Sequence, residues 1–171
     1  MSLAQQIVVD QVNSMRLVPL IPLSRRAQIR RALFVTEKLQ ALLDGRTQDE
    51  ITEERFGALR ADLEVFVTQQ NLYPKYLFWL TPRRDLVWEI RSVEDKPSLR
   101  VLGRFAAYNV YVALTIEERA ELEGWNSIQW KRAIRTCVQR WATLFHPHNP
   151  QHGNQANDFF SGSIRSSYFK K

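Results

Sequence analysis

The chain has 171 residues, with 24 Lys and Arg against 18 Asp and Glu, giving a formal net charge of +6 and a pI near 9.8. Its 44% hydrophobic and 11% aromatic content, with six Gly and seven Pro, suits one packed domain and excludes a collagen-like repeat, a linker or long-range disorder. A single cysteine, Cys137, excludes an intramolecular disulfide and a Cys-rich zinc site, and the longest apolar runs are too short for a membrane span.

Residues 1–15 read as a short helix or arm. Two prolines three apart, Pro19 and Pro22, then forbid a helix interior and predict an extended edge strand over Arg16 to Leu23. Ser24 reads as the N-cap of a helix reaching about Leu43, because Ala32, Val35, Leu39 and Leu42 fall on one helical face and Asp44-Gly45 supplies a stop. Thr47 with Glu50 has the spacing of a capping box and opens a second helix to about Asn71, just before Pro74. Phe56, Leu59, Leu63 and Phe66 form its apolar stripe, and the short connection predicts an antiparallel helical hairpin.

From Leu77 the period changes to two. Leu86, Trp88 and Ile90, then Leu99, Val101, Gly103 and Phe105, then Val110, Val112 and Leu114 alternate with their neighbours, predicting three half-buried strands. The connectors Glu94-Asp95-Lys96-Pro97 and Ala106-Ala107-Tyr108-Asn109 are of turn length, which predicts an antiparallel meander. A last helix is expected from about Ser127 to Phe145, with Trp130, Ile134, Cys137, Trp141 and Leu144 on its packing side and Lys131, Arg132 and Arg135 opposite. Pro147 and Pro150 stop it. The fold class expected is therefore α+β: an antiparallel sheet with a helical hairpin and a long C-terminal helix. One domain spans residues 1–150, and residues 151–171 form a loop-like, partly disordered tail with an anchor at Phe159-Phe160.

The charge is uneven: residues 1–74 carry nine basic and nine acidic side chains, and residues 75–171 fifteen and nine. A basic half-chain attracts polyanions, chiefly nucleic acid. Gln5, Gln6, Asp10, Gln11 and Asn13 break up the N-terminal apolar residues, so no export signal is read there and the expected location is cytoplasmic, without a membrane partner.

If Trp88 and Ile90 face the core, strand alternation sends Glu89, Arg91, Arg100 and Arg104 to the opposite sheet face. Three arginines there could fork phosphate oxygens, with Tyr108 or Tyr111 stacking on an unpaired base. The competing reading is that Arg91 or Arg100 pairs with Glu89 across the ladder. His146, His148 and His152 are spaced as weak metal ligands or as a general acid/base set near Tyr168, against a reading as loop histidines; no cofactor is expected. Cys137 lies on an apolar stripe and reads as a core thiol. Arg25, Arg26, Arg30 and Arg31 form either a basic patch at a helix start or a solvated face.

The segments Leu86-Val87-Trp88-Glu89-Ile90-Arg91, Leu99-Arg100-Val101-Leu102-Gly103-Arg104-Phe105 and Asn109-Val110-Tyr111-Val112-Ala113-Leu114 resemble the strand core of RelE/HigB-type toxins and their phage-related relatives. The resemblance implies a small α+β domain that cleaves mRNA on the ribosome without metal, and carries over Arg91 and Arg100 as family positions. Arg104 and Tyr111 are added from strand geometry, so Arg91, Arg100 and Tyr111 are the catalytic candidates. Arg91, Arg100, Arg104, Lys131, Arg132 and Arg135 are the RNA-binding candidates. Where the family has paired lysines after the last strand, this chain has the acidic Thr115-Ile116-Glu117-Glu118-Arg119. Three expectations follow: an RNA-directed, toxin-like protein; a non-catalytic module with a toxin-like fold that binds an antitoxin-like partner or its own copy; or a small-molecule enzyme using the histidine loop.

Overall fold

The computed structural model describes residues 3–45, 50–73, 75–92 and 98–162, with the side chains of residues 50–53 left aside. Four helices and six strands follow in the order α1 (Leu3–Asn13), β1 (Leu17–Pro19), β2 (Ala32–Thr36), α2 (Glu37–Leu43), α3 (Glu50–Thr68), β3 (Leu77–Trp79), β4 (Trp88–Arg91), β5 (Leu99–Ala107), β6 (Val110–Glu118) and α4 (Ile128–Phe145). The strands form one sheet in the order β1-β2-β6-β5-β4-β3. Pairing is antiparallel throughout except between β2 and β6, which run parallel with Leu33 opposite Tyr111 and Val35 opposite Ala113.

The α+β class holds, but the sheet is mixed and not purely antiparallel. The difference arises at residues 24–36. Ser24 caps no helix; the chain there forms an irregular loop, in which the backbone N–H groups of Arg30 and Arg31 both donate to Val67 O. Ala-Leu-Phe-Val-Thr then forms a strand covered on both faces, as parallel strands with crossover connections are. Such a strand shows a continuous apolar run, which a helical spacing count also fits. The helix begins only at Glu37, where the Thr36 hydroxyl accepts from Leu39 N at 3.3 Å. It closes at Asp44 with Gly45 in the left-handed region at φ 69°. Thr47, Pro74 and the 94–97 connector lie outside the described residues.

Two apolar layers sandwich the sheet because successive strand residues point to opposite faces. Val35, Trp88, Ile90, Val101, Phe105 and Tyr111 pack with α2, α3 and the segment carrying Phe159 and Phe160. Val87, Leu102, Ala106, Val112 and Leu114 pack with α1 and α4, whose buried stripe is Trp130, Ala133, Ile134, Cys137, Trp141 and Phe145. Ser127 caps α4 by accepting from Trp130 N at 3.1 Å. Gly103 sits at a register shift of β5, and a Cβ there would come within 2.6 Å of the Tyr111 ring, so the glycine lets that ring lie across the strand.

Residues 151–162 contain a single short 3-10 turn, yet they are part of the core: Phe159 and Phe160 are buried against Trp88 and Phe105. Arg31 fastens them. Its guanidinium donates to Phe66 O, Gln69 O and Gln70 O at the carboxyl end of α3 and to Ser161 O, at 2.7–3.0 Å. A cation suits a helix carboxyl end, where carbonyls lack intrahelical partners. Among the described residues, no helix is long and apolar enough to cross a membrane.

Candidate nucleic-acid interface

The strand arginines occupy the face that alternation assigns them, but α4 packs on that face over Arg104. Arg91 and Arg100 stand directly opposite each other on β4 and β5. Both converge on Oε1 of the fully buried Glu89, Arg100 through its Nε at 3.2 Å and Arg91 at closer range. Arg91 also lies over Phe78, 3.4 Å from the ring centroid. Arg100, only 8% exposed, donates further to Leu99 O at 2.9 Å and Ser92 O at 3.2 Å. Burial lowers its pKa, and Glu89 opposes that shift. Arg104, 7% exposed, donates to Asp85 O and lies 5.5 Å from the Trp141 ring of α4.

Arg100 and Arg104 are therefore held inside, Arg91 is half-buried with its Nε on Glu89, and the three do not form an open concave surface. Leu102, Val112 and Leu114 share the arginine face, and the apolar stripe of α4 must land on them, covering Arg104 with it. Tyr111, expected as a stacking platform, is fully buried between Phe66 and Phe105 and donates to Trp88 O at 3.0 Å. Burial raises its phenol pKa well above the ordinary value. Tyr108 is exposed. The acidic stretch after Leu114 lies within β6, where Glu117 faces Arg100 across the ladder.

The histidines do not assemble. His146 is the C-cap of α4, His148 offers its backbone carbonyl to Trp141 Nε1 at 3.0 Å, and His152 is exposed. Among the described residues, no group of three His, Cys, Asp or Glu side chains could hold a metal ion. Tyr168 lies outside the described residues. Asp158 caps its own turn by accepting from Asn154 N and Gln155 N. The Cys137 thiol is buried, and burial pushes its pKa up to about 12, as befits a core residue and not a nucleophile. Of the basic run 25–31, Arg31 is buried and the other three arginines are exposed.

One cluster of exposed positive charge lies on α4. Its 18 residues hold Lys131, Arg132, Arg135 and Arg140 and no Asp or Glu. Lys131, Arg132 and Arg135 are exposed, and among the described residues none of them makes an ion pair. An ordinary solvated helix face intersperses acids that neutralise such cations through i,i+4 pairs. At the helix start, Trp125 is 61% exposed and meets Trp130 edge-on at a centroid distance of 5.6 Å. The two rings line a cleft of about 180 Å³ with Thr81, Asn126, Lys131 and Ile134. An indole face, a polar rim and a lysine thus open onto one cationic stripe. Trp125, Trp130 and Trp141 read from the sequence as core or interface anchors before base-stacking platforms; Trp130 and Trp141 are in the core, whereas Trp125 precedes the helix and is exposed. No family model, curated protein or solved structure matches the chain.

Proposed function

We propose that the chain binds single-stranded RNA along the outer face of α4. The observation that carries this reading is an acid-free helix with three exposed, unpaired cations beside an exposed tryptophan. Lys131 and Arg135 lie one turn apart on the same side, and Arg132 flanks them, so successive phosphates of a flexible strand can meet all three. Trp125 offers its face to a base, and stacking of that kind tolerates any base. The strand arginines support a structural role, since each gives at least one donor to Glu89 or to a backbone carbonyl. RNA cleavage by Arg91, Arg100 and Tyr111 draws no support from this arrangement, whereas RNA binding rests on different residues.

Fluorescence anisotropy with an oligouridylate tests the proposal. Three phosphate contacts to a single strand predict a slope of log affinity against log salt of about −2. Replacing Lys131, Arg132 and Arg135 together by Ala should flatten that slope. Trp125→Ala should weaken binding by about 1–3 kcal/mol while leaving the slope unchanged. Equal affinity for the wild type and the triple variant at low salt would overturn the reading.

A second reading rests on a separate observation. Ile21, Leu23 and Ile29 are exposed on the loop that also exposes Arg25, Arg26 and Arg30, beside the edge strand β1. Exposed apolar side chains clustered in one loop fit a protein partner, and a second copy of this chain is the simplest one. Light scattering decides it: a dimer lost on replacing the three apolar residues by Ser supports the reading, and a monomeric wild type ends it.

A further inference from the structure

The other flank of α4 carries a second concave site, near the carboxyl end of the helix and ~20 Å along its axis from Trp130. Its origin is topological. β2 ends at Thr36 opposite β6 near Ala113, but β6 continues to Glu118, so the flank of β6 beyond Ala113 has no strand beside it. The short helix α2 fills that space only in part. A cleft of about 540 Å³ remains between the α1–β1 turn, the β2–α2 junction and α4. A second lobe of about 190 Å³ shares Thr36, Lys38 and Arg140 with it and follows β6 as far as Thr115 and Ile116. In open sheets, the crevice beyond the carboxyl ends of parallel strands is where ligands settle, and β2 and β6 are this protein's one parallel pair among the described strands.

The lining is chemically uneven. Arg16, Lys38 and Arg140 come from three separate elements, and Glu37 is the one carboxylate on the wall. Arg140 is aimed by a 2.7 Å hydrogen bond from Nη1 to Leu114 O, which leaves its other donors free of protein partners among the described residues. Met15, Leu39, Leu42 and Leu144 supply apolar wall, and Ser14, Thr36 and Thr143 add hydroxyl groups. Behind Arg140, burial raises the pKa of Glu117, and the nearby Arg140 charge opposes that shift. The volume lies within the range of small-ligand sites.

We propose that this cleft binds a small organic phosphate, with the dianionic headgroup among Arg16, Lys38 and Arg140 and an apolar body against Met15, Leu39, Leu42 and Leu144. Three cations against one carboxylate leave an excess that matches a phosphate monoester dianion, and the apolar walls favour an ester over inorganic phosphate. The site is independent of the RNA track, because it shares no residue with it.

Calorimetric titration with 1-naphthyl phosphate, inorganic phosphate and 1-naphthol tests the proposal on the full chain. Saturable binding of 1-naphthyl phosphate, at least tenfold tighter than either fragment, is expected. Lys38→Ala should weaken it at least tenfold, and Arg16→Glu should do the same from an exposed position that does not anchor the fold. The variant lacking Lys131, Arg132 and Arg135 should bind the probe as the wild type does. Failure of the wild type to bind 1-naphthyl phosphate, or unaltered binding by both cleft variants, overturns the proposal. Displacement of the probe by oligouridylate would assign the cleft to RNA and overturn it as well, whereas loss of RNA binding alone would leave it standing.

Discussion

The strands and α4 carry arginines of opposite fate. On β4 and β5, Arg91, Arg100 and Arg104 are held by Glu89, by backbone carbonyls and by aromatic rings. On α4, Lys131, Arg132 and Arg135 face water with no acid on their helix. Identical side-chain chemistry thus serves the interior in one region and the exterior in the other. What separates them is the apolar content of the surface on which they stand. The strand arginines share their face with Leu102, Val112 and Leu114, which must be covered. The α4 cations lie opposite the buried stripe. Net charge is therefore a poor guide to available charge, and a partner can be sought only among cations that the fold leaves unpaired.

Removing the shared anion from the inner set is the strongest way to break this contrast. Glu89→Ala leaves Arg91 and Arg100 without their counter-ion and should cost about 3–5 kcal/mol in urea unfolding. Adding Arg100→Met should recover part of that loss, because it removes the stranded buried cation; additive effects would mean that the pair is not coupled. Arg31→Met should cost about 3 kcal/mol by leaving four carbonyls without their donor. For the outer set, the triple Ala replacement on α4 should change stability by only about 0.5 kcal/mol per site while abolishing the salt dependence of RNA affinity.

The smallest effect is on pH dependence. Burial raises the pKa of Glu117 in the folded chain. A carboxyl whose folded pKa lies above its unfolded value costs stability once it ionises, so the penalty is absent below the ordinary Glu range and grows as pH rises through it. Glu117→Gln should therefore match the wild type in acid and exceed it near neutrality, in urea midpoints measured across that range. An unchanged difference at every pH would show that Glu117 does not titrate abnormally.

Much of the secondary structure was legible. Period-two alternation located β4, β5 and β6, the Ser127 cap and apolar stripe located α4, and Leu59, Leu63 and Phe66 marked the buried side of α3. Phe159-Phe160 read as an anchor, and both rings are in the core. β2 was hidden because its two faces, buried at Leu33 and Val35 and half-buried at Phe34, both carry apolar residues and so blur the sequence alternation that identifies strands, and its partner β6 lies more than seventy residues away. β3 is only three residues long and escaped for lack of a pattern. At the site, alternation put Arg91, Arg100 and Arg104 on the right face. Their engagement depended on tertiary contacts outside the reach of local periodicity: Arg104 meets α4 through Trp141, and Arg91 and Arg100 share Glu89.

The anchoring of residues 159–162 also has a bearing on synthesis. Phe159 O accepts from Asn109 N, Gly162 O accepts from Leu72 N, and Ser161 is gripped by both Arg31 and Asn109. Segments far apart in order of translation are thus joined through a stretch made after all of them. A nascent chain can form its strands and helices early, but the layer between the sheet and α3 cannot close until this late segment clears the ribosome. Until then, Trp88 and Phe105 lack the Phe159 and Phe160 rings that cover them, and this apolar layer stays open to water.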